Sequence, residues 1–173
     1  MWMVTVALVG TVVHELVVEM RKRGAGGVAV ASSDELTSLP SRAAWDERLP
    51  QELKRAEREG WQVSVALFVI NGEVEDATLR ETTFSWASQL RGTDLMARYD
   101  TGAFAAAFPG CSLGSAMQLA DRMREVAQGV SVFVGVACWD GEENQAALMG
   151  RVSAAAAEAR EMGGGMVVPA AMA

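Results

Sequence analysis

Residues 97–110 read ARYDTGAFAAAFPG, with apolar runs on either side of Asp100-Thr101-Gly102. The pattern predicts a tight β-hairpin with strands near 94–99 and 103–108. Gly102 is expected to supply the positive φ that such a turn uses. A hairpin of this kind presents its tip, yet this tip offers one aspartate, a threonine, a glycine and an alanine.

On the N-terminal side of the hairpin, WQVSVALFVI (61–70) predicts a buried strand from its β-branched content. NGEVED (71–76) is a short connection. Residues 76–91 then read as a helix with Leu79, Thr83, Trp86, Ala87 and Leu90 on one face. Before that strand, Trp45, Leu49, Leu53 and Ala56 recur at helical spacing, and Pro50 is expected to kink or restart the helix. Beyond the hairpin come a helix over 112–128, the strand VSVFVGVAC (130–138), an Ala-rich helix over 144–162 and an edge strand MVV (166–168). The order α-β-α-β-β-α-β-α-β predicts an α+β fold, an α/β sandwich with a central mixed sheet flanked by helices.

Composition narrows the function classes. The 173 residues are half apolar and about a fifth charged, a globular balance that suits one domain with an N-terminal extension. Fifteen basic residues against 22 acidic ones leave a net charge of −7. Nucleic acid is therefore not an expected partner, and an anionic small ligand needs a local arginine cluster to overcome the global field. The single histidine, His14, lies in the N-terminal segment, which argues against His-based acid–base catalysis and a His-ligated metal. Cys111 and Cys138 match no zinc spacing and sit beside apolar runs, so free buried thiols in a reducing cytosol are expected.

Three segments divide the chain. Residues 1–23 are expected to form an apolar N-terminal helix ending in Arg21-Lys22-Arg23, residues 24–33 (GAGGVAVASS) a linker, and residues 34–173 the domain. Two readings of residues 1–20 stay open. One is a tether to the inner face of the cell membrane, with the basic triplet holding the domain in the cytoplasm. The other is a helix that pairs with a copy of itself or packs on the domain. The uninterrupted apolar run, up to Val13, spans roughly 20 Å as helix against about 30 Å of hydrocarbon.

Four ordered segments from Asp34 to Val168 carry a resemblance: DELTSLPSRAAW, LRGTDLMARYD, VSVFVGVA and AAEAREMGGGMVV. Together they resemble the GGDEF domain of diguanylate cyclases, which implies a nucleotidyl-cyclase-like fold. In active members of that family the hairpin tip reads Gly-Gly-Asp/Glu-Glu-Phe. Here the corresponding positions are Asp100, Thr101, Gly102, Ala103 and Phe104, and only the phenylalanine matches. The resemblance places the family's metal-binding carboxylates at Gly102 and Val69, whose side chains cannot ligate magnesium. NGEVED replaces a longer phosphate-cradling loop. Asp76 aligns with a guanine-contacting Asp whose Asn companion has no counterpart. Arg160 stands at the closing Lys position and Gly164 at the following Arg. The expectation is a chain inactive as a cyclase, with no catalytic residues, metal or cofactor.

The resemblance also implies a retained ligand site. Many cyclases bind their product, cyclic di-GMP, at an inhibitory Arg-x-x-Asp five residues before the signature. Arg91 and Asp94 stand there, and Arg122 matches the second arginine that commonly completes the site. Two guanidinium groups can grip phosphate and stack on guanine, and a carboxylate can accept from its N1–H and amino group. Read without the resemblance, Arg91 is a helix C-terminal cation, Asp94 caps a turn and Arg122 is a solvated helix residue. Arg98 matches a family arginine but is strand-borne and is assigned no role. Two functions follow: a cyclic di-GMP receptor without cyclase activity, or a scaffold that binds no nucleotide and acts by self-association or contact with a protein partner.

Overall fold

The computed structural model describes residues 32–163 and 165–171. The proposed N-terminal helix, and with it the tether and self-pairing readings, lies outside them, as do residues 24–31 of the linker. Within the described part, Ser33 bridges to Pro40, and the Ser41 amide donates to the Ser32 carbonyl at 2.9 Å.

Nine elements follow: α1 (Arg42–Glu59), β1 (Val63–Ile70), α2 (Asp76–Gln89), β2 (Leu95–Asp100), β3 (Ala103–Pro109), α3 (Leu113–Val126), β4 (Val132–Cys138), α4 (Gln145–Glu161) and β5 (Val167–Pro169). The sheet order is β2-β3-β1-β4-β5. β1 pairs antiparallel with both β3 and β4, β2 pairs antiparallel with β3, and β5 joins β4 in parallel. The sheet is mixed and lies between two pairs of helices, as the apolar patterning predicts.

Alternation along β1 explains the layers. Val63, Val65 and Leu67 point to one side, where Trp45, Leu49 and Leu53 of α1 and Leu148, Val152 and Ala156 of α4 cover them. Ala66, Phe68 and Ile70 point to the other, toward Leu79 and Trp86 of α2 and Ala116, Ala120 and Met123 of α3. Trp86 anchors this second core. Its ring lies 5.2 Å from Phe68 and 5.4 Å from Phe104, and its indole N–H donates to the Met123 carbonyl at 2.7 Å.

Some expectations change. Pro50 neither ends nor restarts α1, which is continuous from its Ser41 cap to Gly60. Proline removes one backbone bond there, but Trp45, Leu49, Leu53 and Ala56 are buried on both sides of it, and this stripe holds the helix through the gap. Gly102 lacks the expected positive φ. A register shift between Arg98 and Asp100 absorbs the bend instead, and the left-handed residue is Gly110, at the far end of β3. Cys111 and Cys138 are half-buried, Cys138 as the last residue of β4 and Cys111 in the turn between β3 and α3. Trp61 precedes β1, is 37% exposed and has the Arg55 guanidinium over its ring.

Candidate functional site

The loop between α2 and β2 is a closed turn. The Asp94 carboxylate accepts from the Arg91 amide at 2.7 Å, and the Asp94 amide donates to the Arg91 carbonyl at 3.1 Å. Facing this turn is α3, begun by Ser112, whose hydroxyl accepts from the Ser115 amide. Between them lies a cavity of about 450 Å³, lined by Arg91, Asp94 and Arg122 together with Phe108 and Cys111. Its size falls in the range of small-molecule sites.

The cavity's charges are arranged unevenly. Arg124 binds Asp121 at 2.8 Å, so that carboxylate on the cavity wall is already neutralised. Among the described residues, the Arg91 and Arg122 side chains form no ion pair or hydrogen bond. Burial raises the Asp94 carboxyl above the ordinary aspartate value, against the opposing pull of the Arg91 amide and charge. Burial likewise pushes the Cys111 thiol up, and Arg91 partly offsets it.

The hairpin tip is a separate place. β1 ends against it: the Ile70 amide donates to the Gly102 carbonyl at 2.8 Å, and Val69 stands opposite Ala103. The fold thus brings positions 69 and 102 together at one end of the sheet, and neither side chain carries an oxygen. Asp100, at the tip, accepts from the Thr101 amide at 2.8 Å. Hard divalent cations need several oxygen ligands, and this donor set does not fit one. Among the described residues, no group of three or more His, Cys, Asp or Glu gathers to hold a metal. Asp140 and Glu142 sit in an exposed turn, where the Glu143 and Glu142 amides hold Asp140 below the usual carboxylate range.

The family description "Diguanylate cyclase, GGDEF domain" matches residues 31–166. The chain belongs to the GGDEF family. It is 28% identical over 154 residues to the diguanylate cyclase DgcP of Pseudomonas aeruginosa, and 30% identical over 163 residues to the response regulator PleD of Caulobacter vibrioides. These alignments cover 77% and 80% of the chain but 23% and 36% of the relatives. The GGDEF chain therefore spans about a quarter to a third of the length of these curated relatives. Its fold is similar to the GGDEF domain of DgcB from Caulobacter crescentus in complex with c-di-GMP. There the TM-score is 0.76 at 20% identity, covering 83% of this chain and 98% of that one.

The GGDEF fold brings Arg91, Asp94 and Arg122 to one cavity. It leaves Asp76, at the start of α2, and Arg160, near the end of α4, away from that lining. Sequence reasoning missed Cys111, Ser115, Gln118 and Leu119 as lining residues. A signal existed for three of them: Ser115, Gln118, Leu119 and Arg122 recur at i, i+3, i+4 and i+7, one face of a helix. It also missed Arg98, which holds Asp34 in an ion pair at 2.9 Å.

Proposed function

We propose that this GGDEF chain is a receptor for cyclic di-GMP and not a cyclase. The observation that carries the reading is the convergence of Arg91 and Arg122, both without ion-pair partners among the described residues, on the cavity that Asp94 also lines. Each guanidinium offers a planar fork of donors suited to a phosphodiester, and its flat face suits a guanine ring. Asp94 has one carboxylate oxygen bonded to the Arg91 amide, which leaves the other to accept from a guanine edge. Two unspent arginines also answer the problem of a net charge of −7, since they make the local field positive where an anion would enter. The absence of cyclase activity follows from Val69 and Gly102, which meet where two carboxylates would be needed and supply none.

The test is thermal unfolding of the full chain with and without cyclic di-GMP. The midpoint is expected to rise with ligand concentration, and the rise is expected to vanish in Arg91→Ala and Arg122→Ala. An equal shift in wild type and both variants would place any binding elsewhere. No shift in a folded wild type would leave a fold kept for its protein-contact surfaces.

A further inference from the structure

Cys111 and Cys138 stand on different elements, the turn before α3 and the end of β4, and Ser64 connects them. Ser64 of β1 is the direct partner of Cys138 in the antiparallel ladder. Opposed residues of such a pair project to one face, with Cβ atoms about 5 Å apart. On that face the Ser64 hydroxyl donates to the Cys111 carbonyl at 2.9 Å. Ala66 and Phe68, two and four residues beyond Ser64, mark this as the α2/α3 face, the one the cavity opens on. Cys111 therefore lies over the immediate neighbour of Cys138. A disulfide requires Cα atoms roughly 4.4–6.8 Å apart, so the bond needs two residues that, like these, share a common neighbour on one face. Neither cysteine is in a disulfide and both are half-buried, with the Cys138 thiol donating to the Trp139 carbonyl at 3.6 Å. Burial is the main influence on the Cys111 thiol, and Arg91, Asp94 and Cys138 all act on it electrostatically, so Cys111 shares its field with the cavity and with Cys138.

We propose that Cys111 and Cys138 form a reversible disulfide that weakens ligand binding in the arginine-lined cavity. The effect on ligand rests on the receptor reading above; the bond itself does not. Cys111 lines the cavity and Cys138 does not, so the bond draws a wall residue toward β4. The oxidant is a low-molecular-weight disulfide such as oxidised glutathione. One cysteine thiolate attacks it, forming a mixed disulfide and expelling a glutathione thiolate, which takes up the proton the cysteine lost. The second cysteine, deprotonated in turn, displaces the other glutathione. Two protein thiols become one S–S bond, and one glutathione disulfide becomes two thiols. Because thiolate is the attacking species, the exchange is faster at pH 9 than at pH 7.

The test uses the full chain, which has only these two cysteines. After equilibration with oxidised glutathione and removal of the reagent, titratable thiols are expected to fall from two to none. The protein should remain a monomer on a non-reducing gel, and its mass should show loss of two hydrogens and no added glutathione. In Cys138→Ser, Cys111 is expected to stay free or carry glutathione. Two thiols remaining, two glutathione adducts or a cross-linked dimer would overturn the pairing. Cyclic di-GMP Kd is then expected to rise about fivefold or more on oxidation, within the usual range of coupling between sites, and to return to its reduced value once dithiothreitol restores both thiols. An oxidised protein that binds as tightly as the reduced one would overturn the regulation. A reduced protein that binds no cyclic di-GMP would overturn the receptor reading and the regulation with it, while the thiol count still decides the bond.

Discussion

The Arg98 guanidinium donates to both carboxylate oxygens of Asp34, at 3.0 and 2.9 Å, and to the Thr101 carbonyl at 3.1 Å. One side chain thus ties the first turn of the domain to the tip of the hairpin. The Arg98 amide adds a bond to the Pro40 carbonyl at 2.9 Å, closing the outer edge of β2 against the same segment. Arg98→Met is expected to cost about 2 kcal/mol, the scale of partly buried hydrogen bonds to charged groups, measured by urea unfolding at pH 7.

The same pair carries a pH signature. Burial works to raise the Asp34 carboxyl, but the Thr37 hydroxyl and amide and the Arg98 guanidinium outweigh it, so its native pKa is lowered. A lowered native pKa adds stability above the unfolded aspartate value of about 3.9, and that stability is lost as pH falls through the native value. Asp34→Asn is therefore expected to be less stable than wild type at pH 6, with the gap closing as the pH drops below about 4. A gap that stays constant from pH 6 to pH 3 would contradict this.

Two glycines are expected to respond in opposite ways to added side chains. A Cβ on Gly135 would lie 2.2 Å from the Val152 carbonyl oxygen and 2.4 Å from the Ala156 nitrogen, so β4 and α4 approach as only glycine permits. Gly135→Ala is expected to cost about 3 kcal/mol or more, because backbone must move. A Cβ on Gly102 would meet only the Ile70 carbonyl oxygen at 3.8 Å, an ordinary contact. Gly102→Asp is expected to stay within about 0.5 kcal/mol of wild type. Neither protein is expected to release pyrophosphate from GTP with magnesium, since Val69 offers no companion carboxylate.

The two core tryptophans separate packing from hydrogen bonding. Trp45 and Trp86 are both fully buried, and the Trp86 indole N–H donates to the Met123 carbonyl. The Trp45 N–H has no partner among the described residues. The Trp→Phe change removes similar volume at each site, so Trp86→Phe is expected to be the costlier by about 1 kcal/mol, the bond's net worth plus an orphaned carbonyl. Equal costs by urea unfolding would contradict the assignment.

Apolar patterning made the sheet, its four helices and the two faces of β1 legible, because burial dictates the spacing of residues such as Val63, Val65 and Leu67. Boundaries shifted where an end residue is solvated, as at Trp61. Local chemistry was less legible. Pro50 reads as a breaker until the stripe from Trp45 to Ala56 is seen to be buried across it. Gly102 reads as a positive-φ residue until the register shift at Arg98 is known. The cavity joins a turn to a helix face, so Arg91 and Asp94 could be named from spacing and family likeness, while Cys111 needed the packing of α3. Arg98 was passed over because its partner lies 64 residues away.

Calorimetric titration of the full chain with cyclic di-GMP tests the receptor reading most directly, with GTP plus magnesium as the control. Saturable binding of cyclic di-GMP alone is expected, weakened at least about tenfold in both Arg91→Ala and Arg122→Ala, which is about 1.4 kcal/mol per arginine. No heat with cyclic di-GMP from a folded sample, or binding that both substitutions leave unchanged, would contradict it.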